Sequence, residues 1–297
     1  MRTEGDQWDI TTSVGATALG VAAARAVESQ RSAPLVDDPF AQAFLDRAEL
    51  ELALPGSEAA DPDTEQVWET MSTYMGVRSR FFDEFFASAT ATGLRQVVLL
   101  AAGLDTRAYR LPWPDGVTVY EIDQPAVLRF KDDVLTDRAA RTRAHRIPVT
   151  VDLREDWPAA LRAAGFAPSA PTAWLAEGLL PYLPTHAETA LFEHVERLSA
   201  PGSRIAVEHF AGSLSDMAQL MNDRMARVST MFSVDVRDLV YLEERDHTPE
   251  ASLARLGWKT LSASPRELAV AYQRPLPDDI VEVMSTGRLL EATRLPD

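Results

Sequence analysis

The sequence lacks cysteine altogether, which excludes disulfides, thiolate zinc sites and cysteine nucleophiles. It also lacks long apolar runs. The longest, residues 97–104, is far shorter than the roughly 20 residues that a membrane-spanning helix needs. The first residues, Met1–Asp6, are charged where a secretory signal would continue into an apolar segment. We therefore expect a cytoplasmic protein that does not insert into a membrane.

Basic residues are scarce relative to acidic ones. The chain has 29 Lys and Arg against 45 Asp and Glu, for a formal net charge of −16. Such a surface repels phosphate backbones, so a nucleic-acid partner is disfavoured and the acidity is interpreted as favouring solubility. The five histidines show no ligand spacing such as H-E-x-x-H, so no metal site is predicted.

The overall composition of the chain is typical of a globular protein. Of 297 residues, 46% are hydrophobic and 25% are charged, which suits one large domain or two small ones. Residues 1–93 have a helical pattern and are predicted to form a cap. Residues 94–297 are predicted to form the core, with a lid-like insertion at about 211–250. Within that insertion, a methionine-rich helix is expected at 213–232, where core packing and a lid over an apolar acceptor are the two alternatives.

The core region alternates short apolar strands with helical patterns. Strands are predicted at residues 96–101, 117–122, 147–151, 172–176 and 203–207, and later at 258–262 and 289–293. Strands that alternate with helices predict parallel βαβ units, and therefore an α/β, doubly wound sheet covered on both faces. Thr185 and Glu188 have the spacing of a capping box for a helix over 186–198.

In such a sheet, ligands bind at the carboxyl ends of the strands. One glycine, Gly103, follows the first strand, and the G-x-G-x-x-G of a pyrophosphate site is absent. Asp123 follows the second strand, 20 residues after Gly103, which is the spacing of an acid that binds ribose hydroxyls. The alternatives are an ordinary strand-to-helix turn at Gly103 and a helix-capping role for Asp123.

Four further residues complete the pattern. Asp152 and Leu153 follow the third strand, and a carboxylate beside a backbone N–H suits an adenine ring. Glu177 follows the fourth strand and could pair with a ligand ammonium group. Arg78, on the third N-terminal helix, could bind a carboxylate through two hydrogen bonds, whereas one or both of Arg78 and Arg80 could instead be solvated.

Taken together, these positions describe a ligand with ribose, adenine, ammonium and carboxylate groups but no phosphate. S-adenosyl-L-methionine is such a ligand. Each position has a structural alternative when it is considered alone, namely a loop aspartate at Asp152 or a surface glutamate at Glu177. The prediction therefore depends on all of them lying around one cleft.

Four segments carry a family resemblance. They are Leu-Ala-Ala-Gly-Leu-Asp-Thr-Arg-Ala-Tyr-Arg-Leu at 100–111, Tyr-Glu-Ile-Asp-Gln-Pro at 120–125, Val-Asp-Leu-Arg at 151–154 and Trp-Leu-Ala-Glu-Gly-Leu-Leu-Pro-Tyr at 174–182. With these segments, the chain resembles the leucine carboxyl methyltransferase-like family, and in particular its actinobacterial branch of S-adenosylmethionine-dependent methyltransferases. The N-terminal segments 13–18, 38–41 and 78–83 are similar to that branch as well, so the resemblance runs from about Ser13 to Arg294.

The resemblance implies a Rossmann-like methyltransferase core: a mostly parallel, seven-stranded sheet with an antiparallel last strand, plus a helical cap. It also implies that Arg78 holds the cofactor carboxylate, Gly103 lines the methionine portion and Asp123 binds the ribose. Asp152 and Leu153 would flank the adenine, and Glu177 would contact the methionine end. One departure is Ala101, where the wider methyltransferase superfamily usually has glycine.

The expected reaction is methyl transfer to an oxygen of a carboxyl or hydroxyl group on a small molecule. A carboxylate acceptor needs no base, whereas a hydroxyl does. His209 and Tyr182 are the candidates for a base, but neither is assigned that role, so the catalytic residues and the acceptor stay unknown. The alternatives are a nicotinamide-dependent Rossmann enzyme, which the missing glycine motif disfavours, and a non-catalytic cofactor-binding protein.

Overall fold

The computed structural model describes residues 13–49, 53–55, 57, 60–210, 240–241, 245, 247–276 and 286–296. The methionine-rich helix predicted at 213–232, and most of the insertion predicted at about 211–250, lie outside these residues. None of the helices in the described ranges combines the length and the apolar character needed to cross a membrane. The cytoplasmic location and the division into cap and core stay predictions.

Three helices precede the sheet: α1 (Ser13–Ser29), α2 (Ala41–Ala48) and α3 (Pro62–Ala91). Helix α3 is longer than its apolar periodicity over 66–89 predicts, because its first turn is polar and is fixed by a cap. The Asp61 side chain accepts a hydrogen bond from the Thr64 N–H at 2.7 Å. Pro62 occupies the first position, where a missing N–H costs nothing.

The sheet contains seven strands in the spatial order β3-β2-β1-β4-β5-β7-β6. The strands are β1 (Gln96–Leu100), β2 (Thr118–Asp123), β3 (His145–Thr150), β4 (Thr172–Ala176), β5 (Arg204–Phe210), β6 (Trp258–Ala263) and β7 (Gly287–Arg294). Strands β1 to β5 pair in parallel, and β7 is antiparallel to both of its neighbours. This arrangement confirms the predicted fold class, including the antiparallel last strand.

The helices that follow the first strand cover the sheet. They are α4 (Arg107–Arg110), α5 (Pro125–Asp137), α6 (Trp157–Ala163), α7 (Thr185–Arg197), α8 (Pro249–Arg255) and α9 (Pro265–Ala271), with a 3-10 turn at Leu180–Tyr182. Helices α4 and α9 are absent from the sequence-based prediction, because each spans only one or two turns and offers little periodicity to detect.

Two apolar clusters lie on opposite faces of the sheet, because alternate residues of a strand point to opposite sides. One cluster joins helices α1 to α3 to strand residues such as Val97 and Ala206. The other joins α6 to α8 to residues such as Val98 and Ile205. The N-terminal helices therefore share a continuous core with the sheet, which fixes α3 against β5 and β7.

The predicted capping box at Thr185 and Glu188 is wrong. Helix α7 already begins at Thr185, its N-cap is Pro184, and no side chain caps it. Glu188 is buried and forms an ion pair with Arg245 instead. A capping box is present at α9, where Ser264 accepts from the Glu267 N–H at 3.2 Å and the Glu267 carboxylate accepts from the Ser264 N–H at 2.8 Å.

Ser264→Ala is expected to lower the free energy of unfolding by about 1 kcal/mol, because it leaves an N–H of the first turn without its acceptor. Urea unfolding followed by circular dichroism measures this loss. Ser262→Ala, at an exposed position of β6, is the matched control and should change stability by less than about 0.5 kcal/mol. Equal effects of the two variants would show that the box contributes nothing.

Candidate functional site

The order of the strands determines where a cleft can form. The chain runs outward in opposite directions from the central pair β1 and β4, so the connections after these strands leave on opposite sides. Gly103 follows β1, Asp123 ends β2 and Glu177 follows β4. Glu208 lies near the end of β5. The carboxyl ends of four adjacent parallel strands thus bring these positions to one edge of the sheet.

The turn after β1 is held open beside Asp123. The Gly103 N–H donates to Asp123 Oδ2 at 2.6 Å, and the Gln124 N–H donates to Asp123 Oδ1 at 2.7 Å. Gly103 has a φ of +49°, and a Cβ placed there would have no neighbour nearer than Ala18 Cβ at 3.9 Å. The turn therefore leaves open space along the backbone. Ala101 shares the left-handed region with a φ of 54°, which explains why glycine suits this position in related folds.

Burial raises the pKa of Asp123 to about 6, although its two backbone hydrogen bonds oppose the rise. Asp152 is connected to it through Gln124, whose Nε2 donates to Asp152 Oδ2 at 2.7 Å. Burial would raise the pKa of Asp152 too, but hydrogen bonds from Arg154 outweigh burial and lower it. Leu153, beside Asp152, is partly buried against the apolar cluster of Val98. The structure thus brings the predicted ribose and adenine residues together.

Glu177 lies between two arginines from different helices. Arg78 Nε, from α3, donates to Glu177 Oε1 at 2.7 Å, and Arg107 Nη1, from α4, donates to Glu177 Oε2 at 2.6 Å. Burial would raise the pKa of Glu177, but the two guanidinium groups outweigh it and lower the pKa to about 2. Arg80 points away and pairs with Glu84 at the surface, so Arg78 is the buried member of the two.

Two aspartates extend this cluster on the side of α4. Asp83 Oδ1 accepts from Arg107 Nε at 2.7 Å and from Arg110 Nη2 at 2.8 Å, while Asp105 pairs with Arg107. Arg107 is almost fully buried, with 3% of its side chain exposed. Arg107 lies inside the family motif at 100–111, but no role was predicted for it from the sequence. The sequence feature that could have pointed to Arg107 is its position as a charged residue at the start of a helix that otherwise packs into the core.

Glu208 completes the cluster on the side of β5. Its Oε2 lies 3.1 Å from Arg78 Nη1, and its Oε1 accepts from the Tyr74 hydroxyl of α3. Burial and the adjacent Glu208 charge raise the pKa of Tyr74 well above its usual value, so this hydroxyl stays a donor. Neither Tyr74 nor Glu208 was predicted as a site residue from the sequence. The available signal was Glu208 itself, a glutamate that directly follows the apolar run 205–207 of β5.

The histidine considered as a base lies elsewhere. His209 follows Glu208 in β5, so its side chain faces the opposite side of the sheet. There, His209 Nε2 lies 2.9 Å from Glu250 Oε1 of α8. Burial would raise the pKa of Glu250, but the hydrogen bond and charge of His209 outweigh it and lower the pKa to about 2. Tyr182, the other candidate, is partly buried in the 3-10 turn after Glu177.

Comparison with known proteins decides the family. The model of the leucine carboxyl methyltransferase family matches residues 18–196. The chain belongs to the leucine carboxyl methyltransferase family. A member from Mycolicibacterium paratuberculosis, named "Putative S-adenosyl-L-methionine-dependent methyltransferase", is 49% identical over 99% of this chain and 97% of its own length. A Rhodococcus jostii member with the same description is 48% identical over 99% of this chain and 100% of its own length.

Solved structures agree with the fold. A structure described as a "putative methyltransferase" from Thermobifida fusca has a TM-score of 0.51 and 16% identity, and the match covers 93% of this chain and 94% of that one. The family model and the two relatives confirm the predicted family. They also support its coarse activity, methyl transfer that depends on S-adenosyl-L-methionine.

Proposed function

We propose that the protein transfers the methyl group of S-adenosyl-L-methionine to an oxygen of a carboxyl or hydroxyl group on a small molecule. Family membership supports methyl transfer. The observation on which the cofactor site depends is the open turn at Gly103 beside Asp123, at the same edge of the sheet as the buried ion pair of Arg78 with Glu177. No phosphate-binding glycine motif competes with this interpretation.

The residues present fit this cofactor. Space beside Gly103 accommodates an approaching ligand, and the Asp123 oxygens, each with one backbone donor, have lone pairs left for two ribose hydroxyls. Asp152 and Leu153 would flank the adenine, and Arg78 with Glu177 would meet the methionine end.

When it is bound, the cofactor supplies an electrophilic methyl group on a sulfonium. The task of this chain is then to hold the acceptor oxygen in line with that methyl and to exclude water. Aligning two reactants can lower a barrier by about 7–11 kcal/mol. The ion pairs among Arg78, Glu177 and Arg107 hold the cleft wall in place. A carboxylate acceptor needs no proton removed, so we assign no general base.

The proposal is tested by incubating the protein with a small-molecule extract and a methyl donor that carries an isotope-labelled methyl group. Mass spectrometry should find labelled products in which the label is on oxygen. Alkaline treatment separates the two acceptor classes, because a methyl ester releases methanol and a methyl ether does not. Labelling on nitrogen or carbon would contradict O-methylation. Cofactor binding without any labelled product would favour a non-catalytic binding protein.

Cofactor affinity should depend on pH in the range where Asp123 titrates. Because the pKa of Asp123 is about 6, its carboxylate form dominates above pH 6 and is lost below it. Hydroxyl donors prefer the carboxylate, so the Kd for S-adenosylhomocysteine should rise about tenfold per unit below pH 6. Isothermal titration calorimetry from pH 5 to 8 measures this dependence. Glu177, with a pKa of about 2, does not titrate in this range.

The matched variant for this profile is Asp123→Asn, which cannot titrate. Its Kd should be larger at pH 8 and should stay constant down to pH 5. If the Kd of the wild type does not begin to rise near pH 6, then Asp123 does not bind the ligand.

A further inference from the structure

The turn after β1 is also held by an arginine of helix α1. Arg25 Nη2 donates to the Leu104 carbonyl oxygen at 2.8 Å, and Arg25 is only 8% exposed. Ala18 lies seven positions earlier on the same face of α1, and its Cβ lies 3.9 Å from a Cβ placed on Gly103. Helix α1 therefore lies along the turn from Gly103 to Leu104.

The charge of Arg25 is balanced by Asp38, in the segment before α2. Arg25 Nε donates to Asp38 Oδ2 at 2.9 Å, and Asp38 is 3% exposed. Backbone bonds hold the aspartate as well: its Oδ1 accepts from the Phe40 N–H at 3.1 Å, and its own N–H donates to Ser29 Oγ at 2.9 Å. Burial would raise the pKa of Asp38, but the charges of Arg25 and Arg110 outweigh burial and lower it. Asp38 therefore stays ionised and orients the guanidinium group.

Two hydrogen bonds thus hold the turn, one on each side of the Gly103–Leu104 peptide. The Gly103 N–H donates to Asp123 Oδ2, and the Leu104 carbonyl accepts from Arg25. Gly103 needs such a restraint, because glycine populates positive and negative φ about equally and loses more conformational freedom on folding than any other residue. If the Leu104 side of the turn is released, the direction of the Gly103 N–H is no longer fixed and its bond to Asp123 weakens.

Stability alone does not explain a buried pair of Arg25 with Asp38. Well-packed apolar residues of similar volume are often as stable as a buried ion pair, because both charges lose their hydration. A guanidinium group, in contrast, donates from one rigid plane to a carboxylate and a carbonyl oxygen, and so fixes the two acceptors relative to each other. This property suits a residue that positions a segment of backbone.

We propose that Arg25, oriented by Asp38, is a positioning residue of the cofactor site: it fixes the Leu104 carbonyl and thereby keeps the Gly103 N–H on Asp123. The assignment rests on the proposed function, because it treats this turn as part of the cofactor site. Arg25 acts through the turn, and Asp38 acts through Arg25. The segment 38–41, which carries part of the family resemblance, thereby gains a role.

Arg25→Lys tests this role through the pH dependence of cofactor binding. The variant keeps the positive charge beside Asp38 but lacks the planar group that donates to Asp38 and Leu104 together. The Gly103 N–H should then bind Asp123 less firmly, and the pKa of Asp123 should rise because that bond favours the carboxylate. The pH below which the Kd for S-adenosylhomocysteine rises, about 6 in the wild type, should move up by about one unit. Titration calorimetry from pH 5 to 8 measures this shift.

The other charged groups near Asp123 stay unchanged in this variant. Lys131 of α5 lowers the pKa of Asp123, and Asp152 raises it. Because the charge at position 25 is kept as well, a shift of the pH profile reports the bond from the Gly103 N–H.

A second measurement needs no ligand. Hydrogen exchange of the Gly103 amide, followed by NMR, should be at least about tenfold faster in Arg25→Lys than in the wild type, because openings of the turn become more frequent. Amides of the central strands, such as that of Val119 in β2, should exchange at the wild-type rate.

Arg95→Lys is the matched control. Arg95 Nη1 donates to the backbone carbonyl oxygens of Thr90 and Leu94, each at 2.9 Å, before the start of β1. The variant makes the same chemical change at an arginine that binds backbone away from the turn. Its pH profile and its Gly103 exchange should match those of the wild type.

Arg25→Met combined with Asp38→Asn is a second variant for the case in which Arg25→Lys does not fold. It removes the donor to Leu104 and both buried charges together, so that no charge is left unpaired. It should show the same shift of the pH profile and the same faster exchange of Gly103.

Three results would contradict the proposal. A lower melting temperature with an unchanged pH profile and unchanged Gly103 exchange would show that Arg25 only stabilises the fold. Either change without the other would also overturn the proposal, because it links the turn to the ligand. If the wild type does not bind S-adenosylhomocysteine, the proposed function itself fails, whereas the exchange rates still report whether Arg25 holds the turn.

Discussion

Glu177→Ala is expected to lower the free energy of unfolding by about 3–5 kcal/mol and to abolish cofactor binding. The glutamate is the shared partner of Arg78 and Arg107, whose side chains are only 8% and 3% exposed. Removal of the carboxylate leaves two buried guanidinium groups with one fewer anion between them, and uncompensated buried charge is strongly destabilising. Urea unfolding and calorimetric titration with S-adenosylhomocysteine measure the two losses.

Glu193→Ala is the control, because Glu193 forms a surface pair with Arg197 in which both side chains are more than half exposed. Its loss should cost less than about 0.5 kcal/mol.

The pH dependence provides a second readout. The lowered pKa of Glu177 stabilises the fold above pH 4.5, and this contribution is lost as the pH falls toward about 2. Glu177→Ala should not show this loss of stability between pH 4.5 and about 2. If Glu177→Ala is as stable as Glu193→Ala, then the ion pairs of Glu177 with Arg78 and Arg107 do not stabilise the fold.

Asp123→Ala is expected to weaken cofactor binding at least about 100-fold with little effect on folding. The carboxylate would accept from two ribose hydroxyls, and hydrogen bonds to a charged group contribute about 1.5–3 kcal/mol each. Folding should suffer little, because burial of the charge already raises the pKa of Asp123 to about 6 and is unfavourable at neutral pH. Calorimetry at pH 8 gives the change in Kd, and thermal unfolding gives the change in stability.

Asp133→Asn is the matched control, since Asp133 is an exposed aspartate of the next helix, α5. It should leave both measurements unchanged. Wild-type affinity in Asp123→Ala would place the ribose elsewhere and would undermine the cofactor site as a whole. A loss of affinity that persists when the ribose is replaced by a deoxygenated analogue would show that Asp123 acts only by holding the turn at Gly103.

The sheet could be predicted from the sequence because its signals are local. Runs such as 96–100 and 172–176 are apolar and flanked by turn residues, and the structure places strands over these residues. Helix ends were harder to predict. The Thr185 and Glu188 pair matched a capping pattern, yet Glu188 satisfies a distant Arg245, and such a long-range ion pair is invisible in a local pattern.

Apart from Arg78 on α3, the candidate site could be predicted only where residues lie at or just after the ends of strands. Gly103, Asp123, Asp152 and Glu177 have this relation to the chain, and the structure brings them to one edge of the sheet. The charge cluster could not be derived in the same way. Tyr74 and Glu208 are 134 positions apart and meet only because α3 packs against the end of β5.

The hydrogen bond between His209 and Glu250 has a consequence for how this protein can diversify. The two residues lie on either side of positions 211–249, and their bond joins the end of β5 to the start of α8 at 2.9 Å. The bond thus fixes the end of β5 against the start of α8. We expect changes of sequence length between these two elements to leave the register of β5 on β7 unshifted.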